Sequence, residues 1–325
     1  MLSLRFSLFA FSFVPLLVAC DADKLDFKTD AESGEDAEVA DASAPDADGI
    51  TSMDATVADA ATDTRVPYVT PADIIARPFT TYAPKAAGTY PLLVLLHGYG
   101  GSAASTNRYF AFSPGVDTRN HVIAVPQGTA NKNNERFWNA SDACCNVFGD
   151  NVDDVTYLTH VIEDVQAKFS IDPKSIYIMG HSNGGFMAYR MACEKPALIS
   201  AIVSVAGAVA TSGCPNGSPA RVLQIHGSND TTIKMAGGTI FGLKPYLATR
   251  AGLERFSSVT ANPIYTACGG PFDLDNGITG AETTSVCLNV AAPKRTTLWT
   301  IPGGTHVPNF GAGLVNNVWT WLRTP

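Results

Sequence analysis

A single serine, Ser182, sits in the run Gly180-His181-Ser182-Asn183-Gly184, and this run constrains the chain more than any other feature. It stands between an apolar stretch at 175–179 and a segment with helical patterning from Asn183 to Met191. A strand that passes into a helix through one serine needs a sharp, strained turn. Flanking glycines remove the Cβ atoms that such a turn would press together. The turn lifts Oγ clear of the sheet end and leaves the next N–H groups at a helix N-terminus, where they stabilise an oxyanion. The pentapeptide alone is a weak signal; the strand before it and the helix after it make it strong.

The rest of the chain supplies the sheet that such a turn requires. Short apolar runs at 91–96, 122–126, 175–180, 200–206, 221–226 and 296–301 alternate with helix-like segments. That pattern predicts an α/β fold with a mostly parallel sheet covered on both faces. Residues 153–169 place Val155, Leu158, Val161, Ile162, Val165 and Phe169 on one helical stripe, with Asp153 and Asp154 at its positive end. An antiparallel edge strand is expected in 75–83 and a closing helix in 312–322. The connection from about 207 to 220 is too short for a lid domain. By contrast 127–150 and 259–294 are long and rich in Gly, Asn, Pro and Cys, and read as stapled loops around the site.

A serine nucleophile needs a base, and on a strand–turn–helix scaffold of this kind the partners follow in the order Ser, acid, His. His97, His121, His160 and His181 precede Ser182, and His226 precedes the best acid, which leaves His306 in Gly303-Gly304-Thr305-His306. The acid belongs in the loop after the preceding strand, where His226-Gly227-Ser228-Asn229-Asp230 provides Asp230. A carboxylate there fixes the imidazole tautomer and stabilises the imidazolium. Asp273 and Asp275 are rivals without a strand immediately before them. The run at 91–96 leads into His97-Gly98-Tyr99, so the Tyr99 N–H pairs with the Asn183 N–H as oxyanion donors. Trp138 and His181 are placed at the substrate pocket, although Trp138 could equally pack under a loop.

Both ends of the composition matter for location. Arg5 precedes an apolar run to Val18 that is too short to span a bilayer and reads as a signal peptide, 1–20. It closes on Leu17-Val18-Ala19-Cys20, the layout of a lipoprotein box with Cys20 as the lipid attachment site. Residues 21–64 carry 14 Asp/Glu against Lys24 and Lys28, a net of −12, with little to bury, and read as a disordered acidic tether. Residues 65–325 carry 19 Lys/Arg against 16 Asp/Glu, so the chain's −8 describes the tether and gives the catalytic part no nucleic-acid character. Six cysteines remain beyond Cys20. In an exported chain without zinc spacing they read as disulfides, expected as Cys193–Cys214 and Cys268–Cys287, with Cys144–Cys145 as a vicinal pair unless these two are free or pair elsewhere.

Beyond Gly180-His-Ser-Asn-Gly-Gly185, several segments carry a family resemblance: His97-Gly-Tyr-Gly-Gly101, Pro126-Gln-Gly128, Cys144-Cys145 before Val152-Asp-Asp-Val155, His226-Gly-Ser-Asn-Asp230 with Gly237-Gly238, and Gly303-Gly-Thr-His306. Together they resemble the poly(3-hydroxybutyrate) depolymerase and feruloyl esterase family of α/β-hydrolases over most of 75–310. The resemblance implies the α/β-hydrolase fold, a Ser–Asp–His triad and ester hydrolysis without metal or cofactor, on polyester, feruloyl or acetylxylan esters. Pro308 stands where members often carry Trp, which sets the pocket beside His306 apart. The expectation is therefore an extracytoplasmic serine ester hydrolase acting on short-acyl, bulky or polymeric esters of polyhydroxybutyrate type, or alternatively a feruloyl or acetylxylan esterase. Two readings of other classes are a serine peptidase, which usually carries a large extra domain, and an idle surface binding protein.

Overall fold

Apolar runs without alternation belong in strands covered on both faces, and six of them lie side by side at the centre of the molecule. In the computed structural model, which describes residues 68–259, 261–289 and 296–324, the chain runs α1 (Ala72–Ala76), β1 (Thr80–Tyr82), β2 (Tyr90–Leu96), α2 (Ala103–Phe110), α3 (Val116–Arg119) and β3 (Val122–Val125). A small hairpin follows, β4 (Thr129–Ala130) and β5 (Arg136–Phe137), then α4 (Asp154–Lys168), β6 (Ile171–His181), α5 (Asn183–Glu194), β7 (Ala201–Val205) and β8 (Arg221–Gly227). The last elements are α6 (Thr249–Phe256), β9 (Tyr265–Ala267), β10 (Thr284–Leu288), β11 (Thr296–Ile301) and α7 (Gly313–Arg323). The signal segment, Cys20 and the acidic stretch 21–64 lie outside the described residues.

The main sheet has the order β1-β3-β2-β6-β7-β8-β11-β10-β9. Pairing is parallel from β3 through β11 and antiparallel for β1 on β3, β10 on β11 and β9 on β10. Alternate residues feed two cores. Leu92, Val94, Leu96, Ile176 and Ile178 meet Leu158, Val161, Ile162 and Val165 of α4 and Phe186, Met187 and Met191 of α5. Leu93, Leu95, Met179, Val203 and Val205 meet Phe110 of α2 and Leu314, Val318 and Trp319 of α7. At about 1.5–3 kcal/mol per fully buried large apolar side chain, these two layers fix the strand order.

Three local expectations need correction. The 75–83 edge strand shrinks to β1, because 72–76 forms α1 packed on α4. The stretch 259–294 is not a loop alone: β9 and β10 extend the sheet, and the Cys268–Cys287 disulfide joins them. Within 127–150, the β4–β5 hairpin adds regular structure. Asp153 and Asp154 stand at the N-terminal end of α4, as the stripe implies. Asp153 caps α4 by accepting the Thr156 N–H at 3.0 Å, whereas buried Asp154 pairs with Arg77 at 2.7 Å and accepts the Asn139 N–H at 2.7 Å. Cys193–Cys214 ties the end of α5 to the loop after β7, and Cys144 is joined to Cys145.

Candidate active site

The turn at Ser182 joins β6 to α5. Ser182 has φ +51° and ψ −117°, a backbone region costly for any residue with a Cβ. The glycines make it possible. A Cβ on Gly180 would lie 2.2 Å from the Gly184 carbonyl, and one on Gly184 would lie 2.5 Å from Leu96 O of the neighbouring strand. The Ser182 N–H donates to Val205 O at 2.8 Å, which holds the turn against β7.

Loops after β8 and β11 bring the other two groups to Oγ. Ser182 Oγ donates to His306 Nε2 at 2.9 Å, and His306 Nδ1–H donates to Asp230 Oδ2 at 2.8 Å. The two loops are bound to each other: Ser228 N–H donates to Ile301 O, Asn229 N–H to Gly304 O, and Gly303 N–H to Ser228 Oγ, at 2.8–2.9 Å. Asp230 Oδ1 accepts the Thr232 and Ile233 N–H groups at 2.9 and 2.8 Å. Burial opposes ionisation of Asp230. Hydrogen bonds from His226 and His306 outweigh it and hold the carboxyl well below its ordinary range.

His226 is the partner that chain order alone sets aside, because it precedes the acid. It is buried, with Nε2–H between Ile233 O at 2.6 Å and Asp230 Oδ2 at 3.2 Å, and its Nδ1 accepts from Gln224 Nε2 at 3.0 Å. Gln224 in turn accepts the Tyr189 hydroxyl at 2.9 Å. A buried polar chain thus runs from α5 through β8 to the carboxylate. Its only sequence signal is a pair of polar residues, Gln224 and His226, inside an apolar strand.

Among the described residues, neither the Tyr99 N–H nor the Asn183 N–H has a protein acceptor. The Tyr99 loop is held by His97, whose Nδ1–H donates to Gly98 O at 2.7 Å while Nε2 accepts the Gly128 N–H at 2.9 Å. Burial pushes His97 down to about 4, so the ring is neutral and keeps both bonds. The Tyr99 hydroxyl donates to Glu135 at 2.6 Å and accepts from Asn131 at 2.9 Å. Burial and Glu135 push that phenol above its ordinary range.

The two pocket residues named from sequence have other duties. Trp138 is wholly buried: its Nε1–H donates to His97 O at 3.0 Å, and its peptide exchanges two hydrogen bonds with the Asn183 side chain. It packs beneath the loop, with no exposed surface. His181 donates Nε2–H to His306 O at 2.9 Å and lies edge-on to Tyr109. Burial, with His306 beside it, pushes His181 down to about 3. The ring thereby holds the main chain of His306. Asp275, the rival acid, accepts from Gly277 and Asn309 N–H groups and shapes the loop that follows His306.

Residues 81–254, more than half of the chain, match the family model described as phospholipase/carboxylesterase. The chain belongs to this family of ester-hydrolysing α/β-hydrolases. The esterase relatives include NocK of Nocardia uniformis subsp. tsuyamanensis, named a putative esterase, 32% identical over 236 residues, with 69% of this chain and 67% of NocK covered. Feruloyl esterase B of Neurospora crassa is 28% identical over 199 residues, covering 58% of this chain and 65% of its own. The chain therefore spans about two thirds of the length of these two relatives. An acetyl xylan esterase from Aspergillus awamori shares the α/β-hydrolase fold at a TM-score of 0.53 and 14% identity, over 75% of this chain and 93% of that one.

Proposed function

We propose that this chain, an esterase by family, hydrolyses carboxylic esters through an acyl-Ser182 intermediate, outside the cytoplasm. The observation that carries the reading is the unbroken relay from Ser182 Oγ through His306 to Asp230, at 2.9 and 2.8 Å. Ser182 Oγ attacks the ester carbon as its proton passes to His306 Nε2. The tetrahedral oxyanion takes the N–H groups of Tyr99 and Asn183, and Asp230 stabilises the imidazolium. Collapse breaks the bond to the alcohol, which leaves with the proton from His306 Nε2. Water then repeats the sequence on the acyl-enzyme and frees the acid. The sequence of steps asks for no metal or cofactor.

The substrate reading is a compact acyl group on a bulky or polymeric alcohol, of polyhydroxybutyrate type. It is supported by the 14-residue connection 207–220, which carries no helix or strand and is pinned by Cys193–Cys214, so this connection supplies no lid. A hydroxycinnamoyl or acetyl ester on plant polysaccharide is the second reading, favoured by the relatives named feruloyl esterases. Export is supported by three disulfides, which fit an oxidising compartment. Anchoring at Cys20, with 21–64 as tether and 65–325 as the catalytic part, completes the proposal.

The test is purified full-length protein on nitrophenyl butyrate beside an aminoacyl nitroanilide, then on hydroxybutyrate oligomers, methyl ferulate and acetylated xylan, with Ser182→Ala as blank. Ester cleavage without anilide cleavage is expected; anilide cleavage alone, or neither, sinks the reading. For the anchor, wild type should partition into detergent and Cys20→Ser should not. Wild type in the aqueous phase overturns it.

A further inference from the structure

Phe241 is a large apolar side chain left about half exposed. Its ring is 48% exposed, at the tip of a loop between Asp230 and α6. Phe241 has φ +54° and Gly242 φ +70°, so two successive residues occupy the left-handed region, which a bulky side chain rarely adopts. The base of the loop is fixed. Gly238 and Tyr246 exchange main-chain hydrogen bonds at 2.8 and 3.3 Å, and Lys244 binds Asp142 through both its N–H, to the main chain, and its Nζ, to the carboxylate. The Phe241 ring meets Tyr99 with centroids 5.5 Å apart at 47°. Tyr99 cannot swing away, because Glu135 and Asn131 hold its hydroxyl. An aromatic corner is therefore built on the side chain of Tyr99, the residue whose N–H is the proposed donor.

The strand order says which half of an ester would meet that corner. Tyr99 follows β2, on one side of β6, whereas Asp230 and His306 follow β8 and β11, on the other. Ser182, at the end of β6, lies between. The leaving alcohol has to be at His306 Nε2 to receive its proton, so a group reaching toward Tyr99 belongs to the acyl half. We infer that Phe241, with Tyr99 behind it, is a specificity-determining residue that contacts the acyl group and favours a planar aromatic or similarly broad apolar one over acetyl. This deepens the ester-hydrolase reading and rests on it, and of the two substrate readings it favours the hydroxycinnamoyl ester.

The test compares kcat/KM for nitrophenyl cinnamate and nitrophenyl acetate, which share a leaving group, in wild type, Phe241→Ala, Phe241→Leu and Phe241→Trp. The cinnamate-to-acetate ratio should fall about tenfold in Phe241→Ala, the size expected for one lost aromatic contact with its buried area. It should fall less in Phe241→Leu and hold in Phe241→Trp. A ratio within twofold of wild type in Phe241→Ala overturns the inference, as does an equal fall in the Trp variant. A second ratio, benzyl acetate over ethyl acetate, varies the alcohol alone. If Phe241→Ala changes that ratio and leaves the acyl ratio in place, the assignment to the acyl half is wrong. Wild type that cleaves none of these esters refutes the parent reading instead.

Discussion

Asn183 and Trp138 bind each other as two strands would: Asn183 Oδ1 accepts the Trp138 N–H at 2.7 Å, and Asn183 Nδ2 donates to Trp138 O at 2.9 Å. The same Nδ2 lies 3.7 Å from Cys144 Sγ. The residue after Ser182 is thus locked to the loop that ends in Cys144–Cys145, while its own N–H has no protein acceptor among the described residues. Asn183→Ala keeps that N–H and removes the lock. Two buried main-chain groups of Trp138 then lose partners, at about 1–3 kcal/mol each. The expected outcome is a lower melting temperature together with a kcat loss of roughly tenfold or more and a smaller change in KM. An unchanged kcat in folded protein would show that the lock does not position the donor.

Removing the charge from Asp230 tests the relay. Asp230→Asn retains the shape but presents a donor or a neutral oxygen to His306 Nδ1–H, so a fall in kcat of about 10⁴ is expected. His226→Gln, which keeps a donor toward Ile233 O and Asp230, should cost much less. Steady-state rates on one nitrophenyl ester check both. Equal losses in the two variants would put His226 in the relay itself.

Acid should unfold this protein early. His97 and His121 are buried, and burial pushes each down to about 4 from the ordinary 6.5. Between those values the unfolded chain binds protons that the folded chain refuses. Stability is therefore complete above pH 6.5 and is lost as pH falls toward 4, by up to about 1.4 kcal/mol per pH unit for each ring. Melting temperature measured from pH 7 to 4 should fall across that window. His121 packs 4.4 Å from Trp319. His121→Phe should make the fall shallower, and an unaltered slope would refute its share.

Gly184→Ala should be among the most damaging single changes outside the relay. Its new Cβ would meet Leu96 O and His97 O at 2.5 and 2.6 Å, both main-chain atoms of β2 and the donor loop. Neither can yield without moving the sheet. Soluble expression should collapse, or the folded remainder should lose activity because the Tyr99 loop has shifted. Wild-type stability and rate in this variant would mean that the packing at the turn is looser than these distances.

The central strands and the site were legible in the sequence for a shared reason. The β2, β6, β7, β8 and β11 runs are apolar because both faces are covered, and Ser182, Asp230 and His306 fall in short loops directly after three of them. Local pattern plus chain order is enough there. It fails where partners are remote. β9 and β10 sit in a Gly- and Asn-rich stretch whose strand character comes from pairing with β11. Trp138 was ambiguous because only its bonds to His97 O and Asn183 show that it faces inward. Glu135, which fixes Tyr99 from 36 positions away, leaves no periodic trace at all.

Open sheets can recruit other chains along their margins. Among the described residues the margins are β1 and β9, each three residues long, and both run antiparallel to their neighbours. A strand of that length offers too few free main-chain groups to template a foreign one. At one margin the Cys268–Cys287 link also stops the border from peeling back to bare the longer β10 and β11. A protein crowded at a surface, or released far from any chaperone, would thereby resist growing into fibres, and that protection comes from the least regular stretch of the sequence.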